Sequence, residues 1–495
     1  MVWGLAAALA AGAFYRFSVF WAIPLLLSIP VFFPKNAKLR VAVIVITASA
    51  LFCYAQQATE SLRSKQQYAD EFLFGGGSTR RTMDGWVSGF PQVGRGRVTF
   101  RFRTDLDGTA IDVIVYGKTP GISFGDSLRI VAERVKRRRQ AEKEDSRADS
   151  YLLARGAAAA VRTKKDGITE LPGCSGNTIK RHFFWPLHER LRQEIARRLG
   201  SKSGIPLALL LGEKGELDSR IKRTFVNLGI SHLLALSGMH LGLVAAAVLL
   251  VLGCLRLKNP TALFIVLTIY VCTVGEVVSL FRAYVMATAL IAARIIHRPM
   301  KPIAALGNAV FLILLWAPHT FFSIGFQLSF TATLGVLLCI QRISFESGRS
   351  IIRKLLKYVT STIVVGVFVQ VYLAALLVHH FGRLSIVAPV ATLVFFPFVF
   401  VVLFLSFSCA LPGVLCSGAG DVVAPALEHT SSLFRWLLLF ADDLAPPLVH
   451  VPAADVILYC AGITVIWCSK RLSLRTLAGL ILIALAFIKS LLGAS

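Results

Sequence analysis

The chain has 495 residues, of which 55% are hydrophobic and only 16% are charged, and its 53 Lys and Arg against 27 Asp and Glu leave a net charge of +26. Soluble domains carry roughly 25% charged residues, so this composition excludes a wholly water-soluble protein and a mainly disordered one. The charges concentrate in residues 58–230, which hold 32 Lys and Arg and 20 Asp and Glu. The sequence therefore predicts a polytopic α-helical membrane protein with one inserted water-soluble part.

Uncharged apolar runs locate the predicted membrane spans. Residues 1–57 contain three such runs and are predicted to be N-terminal membrane spans, with an uncleaved anchor because no signal-peptide cleavage site is present. Residues 231–495 contain the remaining runs. Because a helix crosses a bilayer with about 20 apolar residues, we expect about ten to eleven spans, some broken or re-entrant. Pro389 and Pro397 predict a broken helix, and the number of crossings between 384 and 450 stays open.

Clusters of Lys and Arg predict the orientation of these spans. They occur at residues 35–40, 256–258, 294–301, 342–357 and 470–475. A single topology places all five on one side, and loops rich in Lys and Arg lie in the cytoplasm. Residues 58–230 are therefore predicted to be extracytoplasmic.

Residues 58–175 are predicted to form a small β domain. The run Arg97–Arg103 alternates strictly, with Val98, Phe100 and Phe102 on one face and a second face that carries Arg97, Arg101 and Arg103. Asp107-Gly108 is a turn signal, and further strands are expected over residues 110–116, 127–135 and 156–163. Short strands with glycine-bearing turns favour a small OB-like barrel, with a two-layer sheet as the alternative.

Residues 176–230 are predicted to be basic amphipathic helices at the outer membrane face. Apolar residues recur at helical spacing from Leu187 to Leu199, and Asp218 is placed to cap a second helix that carries Ile221 and Phe225. The polar faces carry Arg197, Arg198, Arg220, Lys222 and Arg223. These residues are predicted to guide an anion, and the alternative is a connector that rests on the bilayer.

The stretch Leu228–Leu243 places polar residues where a helix enters the membrane. It contains His232, Ser237 and His240, and its Gly238 and Gly242 form a small-residue pair of the kind that lets helices approach closely. Polar side chains recur in the later apolar runs at Arg282, Gln327, Ser329 and His380. Because polar groups in lipid are costly unless they face a cavity or a partner, these side chains predict a polar pathway, with helix packing as the alternative.

Neither a cofactor nor a metal site is expected. Only Cys174 of the nine cysteines lies in the soluble block, and no Cys and His residues show zinc-ligand spacing. Ser237 and His240 lie three apart on one helix without a facing base or an oxyanion site, so we do not expect an enzyme.

The motifs together resemble the ComEC family of DNA-uptake channels. The resemblance rests on the run from Leu228 to Gly242, on Arg282-Ala283 and on Gly325-Phe-Gln-Leu-Ser-Phe330, while Phe124-Gly-Asp-Ser127 resembles the OB-like domain of that family. It implies a bacterial inner-membrane channel that passes single-stranded DNA into the cytoplasm during natural transformation. Because polar side chains in hydrocarbon are costly, we expect the pore of such a channel to be lined by His232, Ser237, His240, Arg282, Gln327, Ser329 and His380.

The resemblance also implies partners. Many ComEC proteins continue into a metallo-β-lactamase-like domain, whereas no His-x-His-x-Asp-His run occurs in these 495 residues. We therefore expect a separate nuclease, a receptor for DNA on the outer side and a cytosolic motor, and homo-oligomerisation stays open. The alternatives are a transporter or flippase for another anionic substrate and an intramembrane hydrolase.

Overall fold

The computed structural model describes residues 37–74, 80–94, 97–106, 109–117, 121–134, 152, 156–164, 167–174, 177–254, 260–275, 277–295, 297, 300–342, 351–381, 383–385, 387–415, 418, 420–444 and 449–450. The predicted spans before residue 35 and after residue 450 lie outside this part of the chain. Two compact units are present. The first contains the chain up to Leu217, Leu236–Phe326 and Leu403–Glu428, and the second contains Asp218–Ala235, Gln327–Val402 and the chain from His429.

A closed five-stranded barrel forms the soluble part of the first unit. Its strands, with two added ones, are β1 (Arg80–Val87), β2 (Gln92–Gly94), β3 (Arg97–Leu106), β4 (Thr109–Gly117), β5 (Asp126–Arg134), β6 (Ala159–Arg162) and β7 (Ile168–Cys174). Neighbours follow the order β1-β3-β4-β6-β5, and β5 pairs back with β1. The β4–β6 pair is parallel, while β2 joins β3 and β7 joins β5. The predicted OB-like barrel is thereby confirmed, and the two-layer sheet is excluded.

The alternating strand β3 supplies much of the barrel core. Val98, Phe100 and Phe102 are buried as predicted. Helix α1 (Ala37–Phe74) buries Ala69 and Leu73 in the same core. This helix runs without a break through residue 57, where the sequence predicted a boundary, because the Ala, Gln and Glu residues there favour helix.

Helices make up most of the rest of the structure. In chain order they are α2 (Trp185–Leu199), α3 (Gly204–Leu210), α4 (Ser219–Asn227), α5 (Ser231–Leu234), α6 (Gly238–Cys254), α7 (Pro260–Val274), α8 (Val278–Ile295), α9 (Pro302–Trp316), α10 (Ile324–Arg342), α11 (Ile351–Phe381), α12 (Ala388–Leu415) and α13 (Ala424–Leu444). A π-helical turn, Lys180–Phe184, precedes α2, and 3-10 turns lie at Gly200–Lys202 and Pro318–Phe322. Strands β8 (Arg383–Leu384) and β9 (Val449–His450) pair in the second unit.

The local signals in the basic helices are confirmed. In α2 the stripe that includes Leu191 and Ile195 is buried. Asp218 caps α4 by accepting the backbone N–H of Arg220 at 2.9 Å, and Phe225 of this helix packs against the ring of Phe434.

Helix α12 corrects the prediction of a broken helix. It is continuous from Ala388 to Leu415, although Pro389 and Pro397 lie within it. Pro389 falls in the first turn, where no intrahelical donor is needed, and proline is tolerated within apolar membrane helices.

One helix of the described part of the chain, over residues Ala388–Val414, is long and apolar enough to cross a membrane, with a mean hydropathy of 2.7. Five shorter apolar helical stretches accompany it: Gly238–Leu249, Thr261–Val274, Pro302–Trp316, Ile324–Ile340 and Val359–Ala374.

Candidate functional site

The outer face of strand β3 carries the predicted row of arginines. Arg97 and Arg103 are exposed, and Arg101 between them is partly exposed. Asp112 on β4 lies directly opposite Arg103, and two hydrogen bonds of 2.8 Å join its carboxylate to the guanidinium. A comparable pair joins Arg129 of β5 to Asp84 of β1, and the hydrogen bond from Arg129 holds the pKa of Asp84 below its ordinary value. The barrel therefore presents a basic row whose charge is partly offset by one carboxylate.

The predicted cations of the basic helices lie in different surroundings. Arg197 is exposed and lies 3.5 Å from Glu194. Arg220 and Arg223 are exposed on α4, and Lys222 is partly exposed. Because α4 belongs to the second unit and the barrel to the first, these cations are divided between the two units.

Arg198 is an internal ion-pair residue. Its side chain is only 4% exposed, it pairs with Glu194 and it donates to Asp421 at 2.7 Å. Two glycines make room for the guanidinium, since an added Cβ at Gly413 or Gly420 would lie within 2.9 Å of Arg198 side-chain atoms. Arg198 therefore joins α2 to the end of α12 and does not lie on the exposed basic face where the sequence placed it.

The motif from Leu228 to Gly242 folds as a broken entry into helix α6. Gly229 has a φ of +70°, and a Cβ added there would lie 2.7 Å from side-chain atoms of Ser385 and Ala388. The short helix α5 follows and ends at Ala235, whose backbone is extended. The glycine and the extended residue explain why the apolar run does not form one straight helix.

Ser237 and His240 cap helix α6 reciprocally. The Ser237 hydroxyl accepts the backbone N–H of Met239 at 3.3 Å, and His240 Nδ1 accepts the backbone N–H of Ser237 at 3.2 Å. This is the capping-box arrangement, with histidine in the place usually taken by Glu or Gln. Because Nδ1 accepts a hydrogen bond, the ring is neutral and carries its proton on Nε2.

The Nε2 atom of His240 is a buried donor. The residue is fully buried, and Nε2 has no hydrogen-bond partner in the described part of the chain. Arg282 on the neighbouring helix α8 is also buried. The Ser279 hydroxyl donates to the carbonyl of Leu236, which ties the start of α8 to the residues before α6.

Gln327 and His380 form a second polar pair, inside the second unit. His380 Nε2 lies 3.0 Å from Gln327 Oε1, although the two residues are 53 apart in sequence. Ser329 is partly buried on the same helix as Gln327, and His232 is exposed on α5. The structure thus brings together two pairs of the predicted pore residues, Ser237 with His240 and Gln327 with His380.

The predicted close helix contact is present at one glycine only. An added Cβ at Gly238 would touch Ala283 at 3.5 Å, which is an ordinary contact. At Gly242 an added Cβ would meet no described atom within 4 Å, so the helix-packing role of Gly242 stays a prediction. The sequence spacing assigned both glycines the same role, but within the described part of the chain an added Cβ reaches a neighbouring helix at Gly238 and not at Gly242.

His188 is a buried residue that the sequence analysis missed. Its Nδ1 donates to the carbonyl of Thr273 at 2.8 Å, and its Nε2 lies 2.9 Å from Glu213 Oε1. Both side chains are almost completely buried. The apolar stripe of α2 indicated where the helix is buried, but no sequence spacing links residue 188 to residues 213 and 273.

Comparisons with known proteins match part of the chain. A family model described as Competence protein matches residues 209–473. ComE operon protein 3 of Bacillus subtilis (strain 168) is 26% identical over 258 residues, which are 51% of this chain and 31% of that relative. The match therefore spans about a third of the relative's length. No solved structure matches the chain. The family match contains the capped motif and the Gln327–His380 pair, and it begins after the barrel.

Proposed function

The chain belongs to the competence protein family, as its motifs predicted, and from this premise we propose that it passes single-stranded DNA across the bacterial inner membrane into the cytoplasm during natural transformation. The observation that carries the proposal is that the family's motif residues supply hydrogen-bonding groups inside an apolar set of helices. His240 offers a buried donor, and Gln327 and His380 meet across two helices. A polyanion that crosses lipid needs such groups along its path.

The proposal includes a multi-pass membrane topology with an extracytoplasmic barrel. Phe90 of the barrel contacts Gly275, at the C-terminal end of α7. The opposite end of α7 follows the basic residues Arg256 and Lys258, which favour the cytoplasm. A barrel at the Gly275 end therefore fits the orientation that the basic clusters predict for the whole chain.

We assign DNA binding to the outer face of the barrel. Arg97, Arg101 and Arg103 lie on alternate positions of β3 and face outward. Cationic residues on an OB-type barrel hold single strands mainly through phosphate charge. We assign DNA binding also to the exposed Arg197 of the first unit and, separately, to Arg220, Lys222 and Arg223 of the second.

We further propose that the chain is not itself an enzyme. The 3.3 Å contact between the Ser237 hydroxyl and His240 Nδ1 resembles a catalytic pair in its distance alone. The same two atoms cap helix α6, which accounts for their positions. In a serine hydrolase the second ring nitrogen is oriented by an acid, whereas His240 Nε2 has no partner among the described residues. In this proposal separate partner proteins, a nuclease and a motor, degrade one strand and pull the other.

The test separates uptake of DNA from its binding at the cell surface. The variants His240→Leu and Gln327→Leu should abolish internalisation while protein abundance and surface DNA binding stay near normal. His240→Glu keeps an acceptor for the Ser237 N–H and so preserves the cap, but its carboxylate has no N–H to donate. We expect it to block internalisation as well.

Asn308→Leu serves as the matched control, since Asn308 is a polar residue of the apolar helix α9 outside the proposed path. If His240→Leu and Gln327→Leu are present at normal abundance and still internalise DNA, these side chains only pack against neighbouring helices and do not line the path of the DNA. If the wild-type chain moves another anion and no DNA, the transporter or flippase alternative replaces the channel.

A further inference from the structure

The barrel is joined to the helices of its own unit through a partly buried aromatic side chain. Phe90, in the loop between β1 and β2, packs its ring 5.4 Å from that of Trp185 and 5.5 Å from that of His188. The ring also lies against Gly275, where an added Cβ would be 3.1 Å from Phe90 Cδ2. One barrel residue thus contacts both α2 and the end of α7.

A contact between two glycines forms the second part of this joint. A Cβ added to Gly94, the last residue of β2, would lie 2.2 Å from the Cα of Gly215. A Cβ added to Gly215 would lie 2.5 Å from the carbonyl oxygen of Val93. Real Cβ atoms do not approach so closely, so the barrel and the loop after α3 meet backbone against backbone.

His188 connects the helices beneath Phe90. Its Nδ1 donates to Thr273 near the end of α7, and its Nε2 lies within hydrogen-bond distance of Glu213, two residues before Gly215. The ring of Trp185 stacks on that of His188 at 5.6 Å. The imidazole therefore ties α2, α7 and the loop after α3 into one platform on which Phe90 rests.

We propose that this joint, formed by Phe90, the Gly94–Gly215 contact and the His188 platform, is a positioning site that holds the barrel on the end of helix α7. A strand bound to the barrel is then presented to the membrane helices at a fixed place. The delivery step rests on the proposed function, whereas the docking itself does not. The burial of His188 and Glu213 supports a structural role, since side chains that are almost inaccessible to solvent cannot contact DNA directly.

Two variants on the barrel loosen the joint, one at each of its two contacts. Phe90→Ala removes the ring that packs on Trp185 and His188. Gly94→Ala adds a methyl group that clashes with the backbone of Gly215, and it alters no polar group. The matched controls are Phe183→Ala, which truncates an exposed phenylalanine, and Gly253→Ala, where an added Cβ meets no described atom within 4 Å. All variants are made in the full-length chain and reconstituted in lipid nanodiscs.

Hydrogen exchange measured by mass spectrometry reports the docking directly. In both joint variants the backbone amides of residues 213–216 and 271–275 should exchange at least about tenfold faster, while those of β3 and β4 keep their protection. The double variant should exchange no faster than the stronger single one, because both changes open one contact.

DNA uptake reports the consequence of docking. In cells, Phe90→Ala and Gly94→Ala should bind surface DNA normally and internalise it poorly, and both controls should internalise it normally. Unchanged exchange at residues 213–216 and 271–275 overturns the joint, as does loss of protection throughout β3 and β4. Faster exchange with normal internalisation overturns the positioning role. A wild-type chain that internalises no DNA refutes the proposed function, and the exchange measurement still decides the docking.

Discussion

Replacing Asp112 by asparagine should strengthen the binding of single-stranded DNA. Arg103 makes two hydrogen bonds of 2.8 Å to this carboxylate, so Asp112 offsets the charge of an exposed guanidinium. The asparagine side chain has nearly the same shape, and its carbonyl oxygen would still accept the hydrogen bond that Asp112 receives from Ser88. The pair is partly exposed, and exposed ion pairs contribute only about 0–1 kcal/mol, so the barrel should stay folded.

The expected gain follows from the release of counterions when a cation contacts a phosphate. Each phosphate contact adds about −0.7 to the slope of log K against log salt for single strands. If Arg103 gains one such contact, affinity at 0.1 M salt rises up to about fivefold relative to 1 M salt, where the advantage vanishes. The slope for the variant should therefore be steeper by about 0.7.

Fluorescence anisotropy of a labelled oligonucleotide, titrated with the full-length protein at several salt concentrations, measures both quantities. Asp84→Asn is the matched control, because it also removes one carboxylate from an arginine pair but does so on β1 and β5. An equal gain in Asp84→Asn would mean that net charge alone sets the affinity. An unchanged or weaker affinity in Asp112→Asn refutes the assignment of DNA to the β3 face.

Two further predictions concern stability. Arg198→Ala should lower the free energy of unfolding by about 1–3 kcal/mol. This loss is smaller than for a fully buried ion pair, because Asp421 is 60% exposed. The same variant should leave the salt dependence of DNA binding unchanged. A shallower slope of log K against log salt in this variant would show that Arg198 contacts DNA. Gly229→Ala should cost more than about 1 kcal/mol, because its backbone is left-handed and its Cβ would clash with Ser385, whereas Gly242→Ala should be neutral or stabilising by up to about 1 kcal/mol. Thermal unfolding in detergent measures these variants, and equal effects at the two glycines would contradict the structure.

The features that the sequence predicted well are those set by near neighbours. The alternation of β3 requires only that every second side chain faces the core, and Val98, Phe100 and Phe102 are buried accordingly. The Asp218 cap likewise depends on a backbone N–H two residues away. The motif drew attention to Ser237 and His240, but it did not indicate that His240 would cap its own helix.

The features that the sequence missed depend on distant partners. Arg198 resembles its solvent-facing neighbours until Asp421, 223 residues later, is placed beside it. His188 is similarly fixed by Glu213 and Thr273. The prediction of a helix break at Pro397 is wrong for a different reason. Proline disrupts a helix in water more strongly than it disrupts a long apolar helix.

The histidine in the cap of helix α6 determines where that helix can begin. A glutamate at residue 240 would satisfy the same backbone N–H, but it would bring a full negative charge to a fully buried position. A buried carboxylate of this kind costs several kcal/mol to desolvate, and in the proposed channel it would also repel phosphate. A neutral imidazole makes the hydrogen bond without the charge, so the chain can begin this helix at a position buried from water.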